Sequence, residues 1–266
     1  MPKTAILTDI HANLPALEAV LREVDASGVD GIVFGGDLVG YGAFPADCVE
    51  RVRSVGGQSV LGNHDEFTRL MVLRGEHLLP EGWKANPVWA GIGLAIRQMT
   101  EESLEWLWGR PMNLELDGGA ILAHASLHDP PGWHYLTSET DAAPTFARLR
   151  ERGGERSLGF FGHTHQMQCL ADPTAPIQPK WLARDRLHLP VGVVCAMLAG
   201  SVGQPRDRQD RRASWVIWDG DAREVEIRHT AYPAMEAAKG IVEAGLPIES
   251  ALRLLSAEER LDWLGF

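Results

Sequence analysis

An α/β fold is predicted by three observations: short apolar runs alternate with helical spacing through the first sixty residues, a strand-turn-strand pattern follows near the middle, and Met167 to Ile227 is rich in further strands. Thr4-Ala-Ile-Leu-Thr8 is the first apolar run. Leu14, Leu17, Val20, Leu21 and Val24 then recur at helical spacing, with Asn13 placed to cap the helix and Pro15 in its first turn. Gly31 to Phe34 predicts the second strand, Pro45 to Val55 the second helix and Gln58 to Leu61 the third strand. Strands alternating with helices imply parallel β-α-β units with right-handed crossovers.

Beyond Glu66 the character changes. Leu70, Val72 and Leu73, then Ile92 to Met99, then Leu104 to Trp108 read as helices, a helical insertion at about 66–110 that carries Trp83, Trp89, Trp106 and Trp108. Those tryptophans either pack the segment onto the body or form a cap or dimer face; aromatic residues at helical spacing favour packing. Asn113 to Leu116, a turn at Asp117-Gly-Gly119 and Ala120 to Ala123 form a hairpin. A helix over Ala142 to Arg150 leads to a strand over Ser157 to Phe161, and turns at Asp172-Pro173 and Asp219-Gly220 punctuate the strand-rich stretch. The last thirty-odd residues read as amphipathic helix. With neither repeats nor a Gly-, Ser- or Pro-rich linker, residues 1–266 are expected to form a single domain.

Composition bounds the function. The chain has 266 residues, 45% hydrophobic and 23% charged, as in an ordinary soluble globular protein. No apolar run approaches the ~20 residues that span a bilayer, so no membrane partner is expected. The N-terminus becomes a strand without a signal-peptide h-region, and Cys48, Cys169 and Cys195 are scattered without metal-binding spacing. Both features predict a cytoplasmic protein with reduced thiols. The net charge of −11 argues against stable nucleic-acid binding. The basic cluster of Arg206, Arg208, Arg211 and Arg212 is interleaved with acids and reads as a solvated loop.

Five short fragments carry the chemistry: Asp9-Ile-His11, Gly36-Asp37, Gly62-Asn63-His64-Asp65, His124 and Gly162-His163-Thr164-His165. Carboxylate, imidazole and amide donors suit Mn²⁺, Fe, Zn²⁺, Ni²⁺ or Co²⁺. Each fragment follows an apolar run, so one sheet edge could receive them all. Asp9 and His11 face the same side if the chain stays extended there. Asp37 would lie alongside Asp9, and its two oxygens could bridge two cations. Gly35-Gly-Asp-Leu-Val-Gly40 resembles a phosphate loop, but Tyr41 stands where the lysine would be. Asn63 offers a neutral amide oxygen, which leaves His64 free for proton transfer with Asp65 orienting its imidazole. His163 and His165 could turn to one side together or take different ions.

These motifs, in this order, resemble those of the calcineurin-like metallophosphoesterases: Asp-x-His, Gly-Asp, Gly-Asn-His-Asp, His and Gly-His-x-His. Gly200-Ser-Val-Gly-Gln-Pro-Arg-Asp207 and Val242-Glu-Ala-Gly-Leu-Pro247 resemble compact bacterial and archaeal members. The resemblance implies a four-layer α/β/β/α sandwich, with two mixed β-sheets flanked by helices. It also implies two divalent metal ions, Mn²⁺ first among the choices. Asp9, His11, Asp37 and His165 would hold one ion and Asp37, Asn63, His124 and His163 the other, with His64 and Asp65 as the catalytic pair. The implied activity is hydrolysis of phosphate esters, phosphodiesters foremost, by a hydroxide shared between the metals, acting on a small phosphorylated substrate. Phosphomonoesters, phosphoproteins and dinucleoside polyphosphates remain alternatives, as does a non-catalytic scaffold, and homo-oligomerisation stays open. The chain departs from the family at Ala125, where glycine is usual, and at His128, where close relatives carry arginine. The first is expected to adjust the backbone without loss of metal, and the second leaves substrate contacts across Leu127 to Tyr135 unassigned.

Overall fold

A computed structural model of the chain describes residues 2–264 apart from 76, 78, 80, 154–156, 176, 184, 208 and 209. Arg208 of the basic cluster and Glu76, Leu78 and Pro80 of the helical segment therefore lie outside the described residues. Strands β1 (Lys3–Leu7), β2 (Gly31–Phe34) and β3 (Gln58–Ser59) pair in parallel, with α1 (Leu14–Ala26) and α2 (Pro45–Ser54) as crossovers. The Asn13 side chain caps α1 by accepting from the Ala16 amide at 3.2 Å. Helices α3 (Asn63–Arg74), α4 (Pro87–Gln98) and α5 (Glu101–Trp108) follow. The hairpin β4 (Asn113–Leu116) and β5 (Ala120–Ala123), helix α6 (Glu139–Gly153) and β6 (Leu158–Phe161) come next. Strands β7 (Met167–Ala171), β8 (Lys180–Ala183), β9 (Arg186–His188), β10 (Cys195–Ala199), β11 (Ala213–Asp219) and β12 (Glu224–Thr230) complete the sheets.

The C-terminal segment differs from the amphipathic helix expected of it. It holds three short helices, α7 (Ala234–Glu243), α8 (Ile248–Leu254) and α9 (Ala257–Leu264). Gly245 takes a left-handed φ of 72° just after α7, and Pro247 cannot prolong a helix through its missing N–H. Leu255 is extended, and the Ser256 hydroxyl accepts from the Glu259 amide at 3.1 Å to start α9.

The strands form a seven-stranded sheet in the order β3-β2-β1-β11-β12-β9-β8 and a five-stranded sheet in the order β4-β5-β6-β10-β7. Both mix parallel and antiparallel pairs. Alternation along each strand builds the layers. Ala5, Leu7, Trp215 and Ile217 face α1 and α2, whereas Ile6, Val216 and Trp218 face Leu122, Phe160 and Met197 of the second sheet. That sheet's outer face, with Ile121, Phe161 and Leu198, covers Phe146 and Leu149 of α6. The result is the four-layer α/β/β/α sandwich, with each fully buried Leu or Phe contributing about 1.5–3 kcal/mol. Among the described residues no helix is long and apolar enough to cross a membrane. The carboxyl ends of β1, β2 and β3 and of the mutually parallel β5, β6 and β10 deliver loops to one edge, where ligands bind in open α/β sheets.

Candidate functional site

At that edge the backbone leaves the extended conformation. Strand β1 stops at Leu7, and Asp9 and His11 have left-handed φ values of 53° and 48°, so alternation along a strand does not bring them together. Asp37, His163 and His165 share the conformation at 52°, 64° and 60°. Such φ values cost non-glycine residues about 1–2 kcal/mol each and persist where the surroundings over-determine them. Here the surroundings are neighbouring loops. The amides of Asp9, His11 and Ala12 donate to Gly36, Asp37 and Leu38 carbonyls at 3.1, 2.9 and 2.9 Å. From the loop after β10, the Gly203 amide and Ser201 hydroxyl each donate to the Asp9 carbonyl at 2.9 Å. A Cβ on Gly203 would run into the Ile10 carbonyl oxygen, so only glycine permits this approach.

The strain gathers the five fragments. His11 Nε2 and His165 Nε2 lie 3.0 Å apart, and Asp9 Oδ1 is 3.7 and 3.3 Å from them. His124 Nε2 lies 3.0 Å from Asn63 Oδ1 and 3.3 Å from Asp37 Oδ2. His163 joins that second group, within 4.8 Å of Asp37 and His124. The two histidines of the last fragment thus diverge, one to each group. Asp37 Oδ2 is also 3.6 Å from His11 Nε2, which makes this one oxygen the link between the groups.

The donors fit divalent cations. Nδ1 of His11, His124 and His165 faces the carbonyl of Val39, Gly35 and Gln204 at 3.0, 2.7 and 2.7 Å. A carbonyl only accepts, so each Nδ1 carries a proton, and in the neutral form of each ring Nε2 presents its lone pair. Those lone pairs meet other lone pairs: Nε2 against Nε2, or Nε2 against carboxylate and amide oxygens. His163 donates to the Trp133 carbonyl, and its Nε2 is buried without a partner. Converging acceptors with no donor are stabilised by a cation, and backbone carbonyls holding the far nitrogens are how metal-binding imidazoles are oriented.

The electrostatics of the donor set agree. Burial disfavours the Asp9 and Asp37 carboxylates, but the surrounding imidazoles outweigh it and hold both below the usual carboxylate range. Burial pushes His163 down to about 4 and holds His165 well below its ordinary value. Burial also opposes charge on His124, yet the Asp37 carboxylate overrides it and raises the imidazole to about 10.

His64 and Asp65 depart from the pairing expected of them. The Asp65 carboxylate accepts from the backbone amides of Leu38, Val39 and Gly62 at 2.9, 3.3 and 3.0 Å, fastening the loop after β2 to the start of α3. His64 Nδ1 is buried with no hydrogen-bond partner, so Asp65 does not orient the ring. A His64 ring nitrogen lies within 4.8 Å of His11 and Asp37, at the junction of the two groups, and burial pushes its pKa down to about 3. The ring is therefore neutral.

Several residues around the site carry no motif. Tyr41 packs its ring 4.8 Å from His11 and 4.7 Å from His64. Trp133 sets its edge against His124 at 5.9 Å, and Tyr135 stacks on His163 at 4.0 Å. Their only trace in the sequence is position in the loops after Asp37 and His124. Ala125 is buried and leaves His124 in its group, while His128 bonds Thr145 Oγ1 at 3.1 Å and stacks on His134 away from the ligands.

The profile of the calcineurin-like phosphoesterase family matches residues 2–167, a span that contains all five fragments. The chain belongs to this family. An uncharacterized protein of Methanocaldococcus jannaschii is 31% identical over 246 residues, covering 91% of this chain and 93% of its relative. The crystal structure of a metallophosphoesterase from Sphaerobacter thermophilus superposes with a TM-score of 0.76 at 33% identity, covering 95% of this chain and 98% of that one. A symmetrical bis(5'-nucleosyl)-tetraphosphatase of Actinobacillus succinogenes is 28% identical across 58% of this chain and 54% of its own length. As a calcineurin-like phosphoesterase, the chain is a metal-dependent phosphoric ester hydrolase.

Proposed function

We propose that the chain is a two-metal phosphodiesterase of the cytoplasm acting on a small phosphorylated substrate. Asp9, His11, Asp37 and His165 hold one divalent ion, and Asp37, Asn63, His124 and His163 hold the other, with Mn²⁺ the favoured metal. The observation that carries this reading is Asp37 Oδ2, which faces an imidazole of each group at 3.6 and 3.3 Å. When bound, such ions neutralise phosphoryl oxygens and acidify the attacking water.

The chain's own residues supply the rest. His64 sits at the junction of the groups, where its neutral ring offers one N–H to the departing oxygen. Half-buried Arg206 has an Nε without a partner and acts electrostatically on Tyr41 and His165. That guanidinium is placed to hold a non-bridging phosphate oxygen. Tyr41 closes over His11 and His64 and keeps bulk water from them. Asp65 positions by fixing the loops that carry Asp37 and Asn63. The helical segment at about 66–110, taken as an insertion in a single domain, brings Phe67 and Trp89 to the His64 side. A second reading, hydrolysis of dinucleoside polyphosphates, draws on the likeness to the tetraphosphatase.

The test is turnover of bis-p-nitrophenyl phosphate, p-nitrophenyl phosphate and diadenosine tetraphosphate by protein loaded with Mn²⁺, Ni²⁺, Zn²⁺ or Mg²⁺, with metal counted on the same samples. Two metal equivalents and preferred cleavage of the diester support the proposal. Full loading without turnover of any ester points to a scaffold instead.

A further inference from the structure

Tyr135 is 52% exposed, yet its ring is held in place. One face lies on His163 at 4.0 Å between centroids and 24° between planes, and among the described residues no other ring covers the opposite face. The loop beneath is braced throughout. Ser126 Oγ donates to the Asp129 carbonyl at 3.2 Å, His134 bonds Asp129 at 3.0 Å, and His128 and His134 stack at 4.9 Å. Leu136 anchors the next position in the core against α6. Trp133 takes a left-handed φ of 50°, a rare conformation for a bulky residue that clusters at ligand clamps. An exposed aromatic on a floppy loop would carry no message; one held parallel to a metal-ligand imidazole presents a preformed flat surface beside the place where the phosphate sits.

The opposite side of the site has its own aromatic wall. Phe67 lies 6.1 Å from His64 and 5.3 Å from Trp89. With a net charge of −11, the chain offers flat apolar rings rather than a broad basic surface to the organic part of its substrate. Aromatic rings bind nucleobases by stacking, and the strength tolerates any base because every base has a π-face.

We propose that Tyr135 is a specificity-determining residue whose free face stacks on a nucleobase, so that the substrate class is nucleotidyl phosphate esters. This rests on the proposed phosphodiesterase site only for where the phosphate is held.

The test compares calorimetric binding of the phosphonate analogue of AMP with that of methylphosphonate on Mn²⁺-loaded protein, with metal content measured for every variant. Wild type is expected to prefer the adenosine ligand by about 10-fold or more, and Tyr135→Ala to cut that preference by about 5-fold or more at unchanged metal content. Tyr135→Phe should restore it. Trp181→Ala, which removes an exposed aromatic on β8, should leave it unaltered. An undiminished preference in Tyr135→Ala overturns the proposal, and so does loss of metal from that variant, which would make the ring a brace for His163. Wild type that fails to cleave any phosphodiester yet shows the Tyr135-dependent preference overturns the phosphodiesterase reading and leaves this one standing.

Discussion

His11 and His165 turn their Nε2 atoms toward each other across 3.0 Å while each Nδ1 is committed to a backbone carbonyl. Two facing lone pairs beside the Asp9 carboxylate are stabilised by a cation, so metal binding is coupled to folding. At a free metal concentration about 100 times Kd, one site adds about 2.7 kcal/mol. For a chain of this size that corresponds to roughly 5–10 °C in Tm. Calorimetry should therefore register a drop of at least that size on EDTA treatment, reversed by Mn²⁺. His165→Ala should recover only part of the rise and hold about half the metal found in wild type by elemental analysis. An unchanged Tm on chelation would remove the cation from the account of this cluster.

His64 and Asp37 separate turnover from metal binding. His64 contributes its ring nitrogen at the junction, whereas Asp37 Oδ2 faces imidazoles of both groups. His64→Ala should retain metal and lose roughly 10²–10⁴-fold in kcat. Asp37→Asn should lose metal and activity together. Full turnover in His64→Ala would sink its assigned role, and a metal-replete Asp37→Asn would remove the bridge.

What was legible beforehand divides along physical lines. The β1-α1-β2-α2-β3 alternation and the hairpin at β4 and β5 followed from local periodicity and turn residues, which act over a few positions. The five fragments picked out side chains that the fold brings together, because metal chemistry restricts residue type. Their geometry was not legible. The left-handed φ of Asp9, His11, Asp37, His163 and His165 is imposed by hydrogen bonds from distant loops, such as Gly203 to the Asp9 carbonyl, and local spacing carries no trace of them. The same limit misdirected Asp65, which looked like an imidazole's partner and is a staple for three backbone amides. Tyr41, noted only for standing in place of a phosphate-loop lysine, and Trp133 and Tyr135, within a stretch left unassigned, drew no role because an aromatic residue in a loop has many structural uses.

Arg206 tests the anion-holding side of the site. Its Nε lacks a partner, and among the described residues it forms no ion pair with a carboxylate, unlike Arg212 of the same basic cluster, which pairs with Asp210. A hydrogen bond to a charged group contributes about 1.5–3 kcal/mol. Arg206→Ala should therefore raise KM for the diester by roughly 10- to 100-fold, with Arg206→Lys intermediate. Steady-state kinetics at constant metal loading reads this directly, and an unmoved KM would return Arg206 to the surface.

Gly91 reverses an ordinary rule. In the middle of a helix, Gly→Ala usually stabilises by about 0.5–1 kcal/mol. In α4, however, a Cβ at Gly91 would run into the Tyr41 amide, part of the turn that lays the Tyr41 ring over His11 and His64. Backbone cannot step aside as a flexible side chain does, and overpacking typically costs about 1–3 kcal/mol. Gly91→Ala should thus lower Tm by a few degrees and reduce kcat, because α4 pushes the turn inward. A more stable variant with wild-type kinetics would show that α4 and the Tyr41 turn slide past one another freely.

Tyr232 gives a pH dependence independent of the metal site. Its phenol packs between the α1–α2 core and helices α7 and α8, and burial pushes its pKa from 10.0 up to about 12, with the Asn13 side chain pulling weakly the other way. The native state therefore keeps its proton at pH values where the unfolded chain releases it. Below about pH 10 both states are protonated and the full stability is present; as pH rises from about 10 to 12 only the unfolded state ionises, and stability is lost. Two units correspond to about 2.7 kcal/mol, which partial solvent contact reduces to roughly 2 kcal/mol. Tyr232→Phe has no proton to release. Urea denaturation at about pH 8, 10 and 11.5 should find wild type losing about 2 kcal/mol more than Tyr232→Phe across the alkaline interval, while the two run together below it. Parallel curves throughout would mean that the phenol ionises as readily in the folded chain as in the unfolded one.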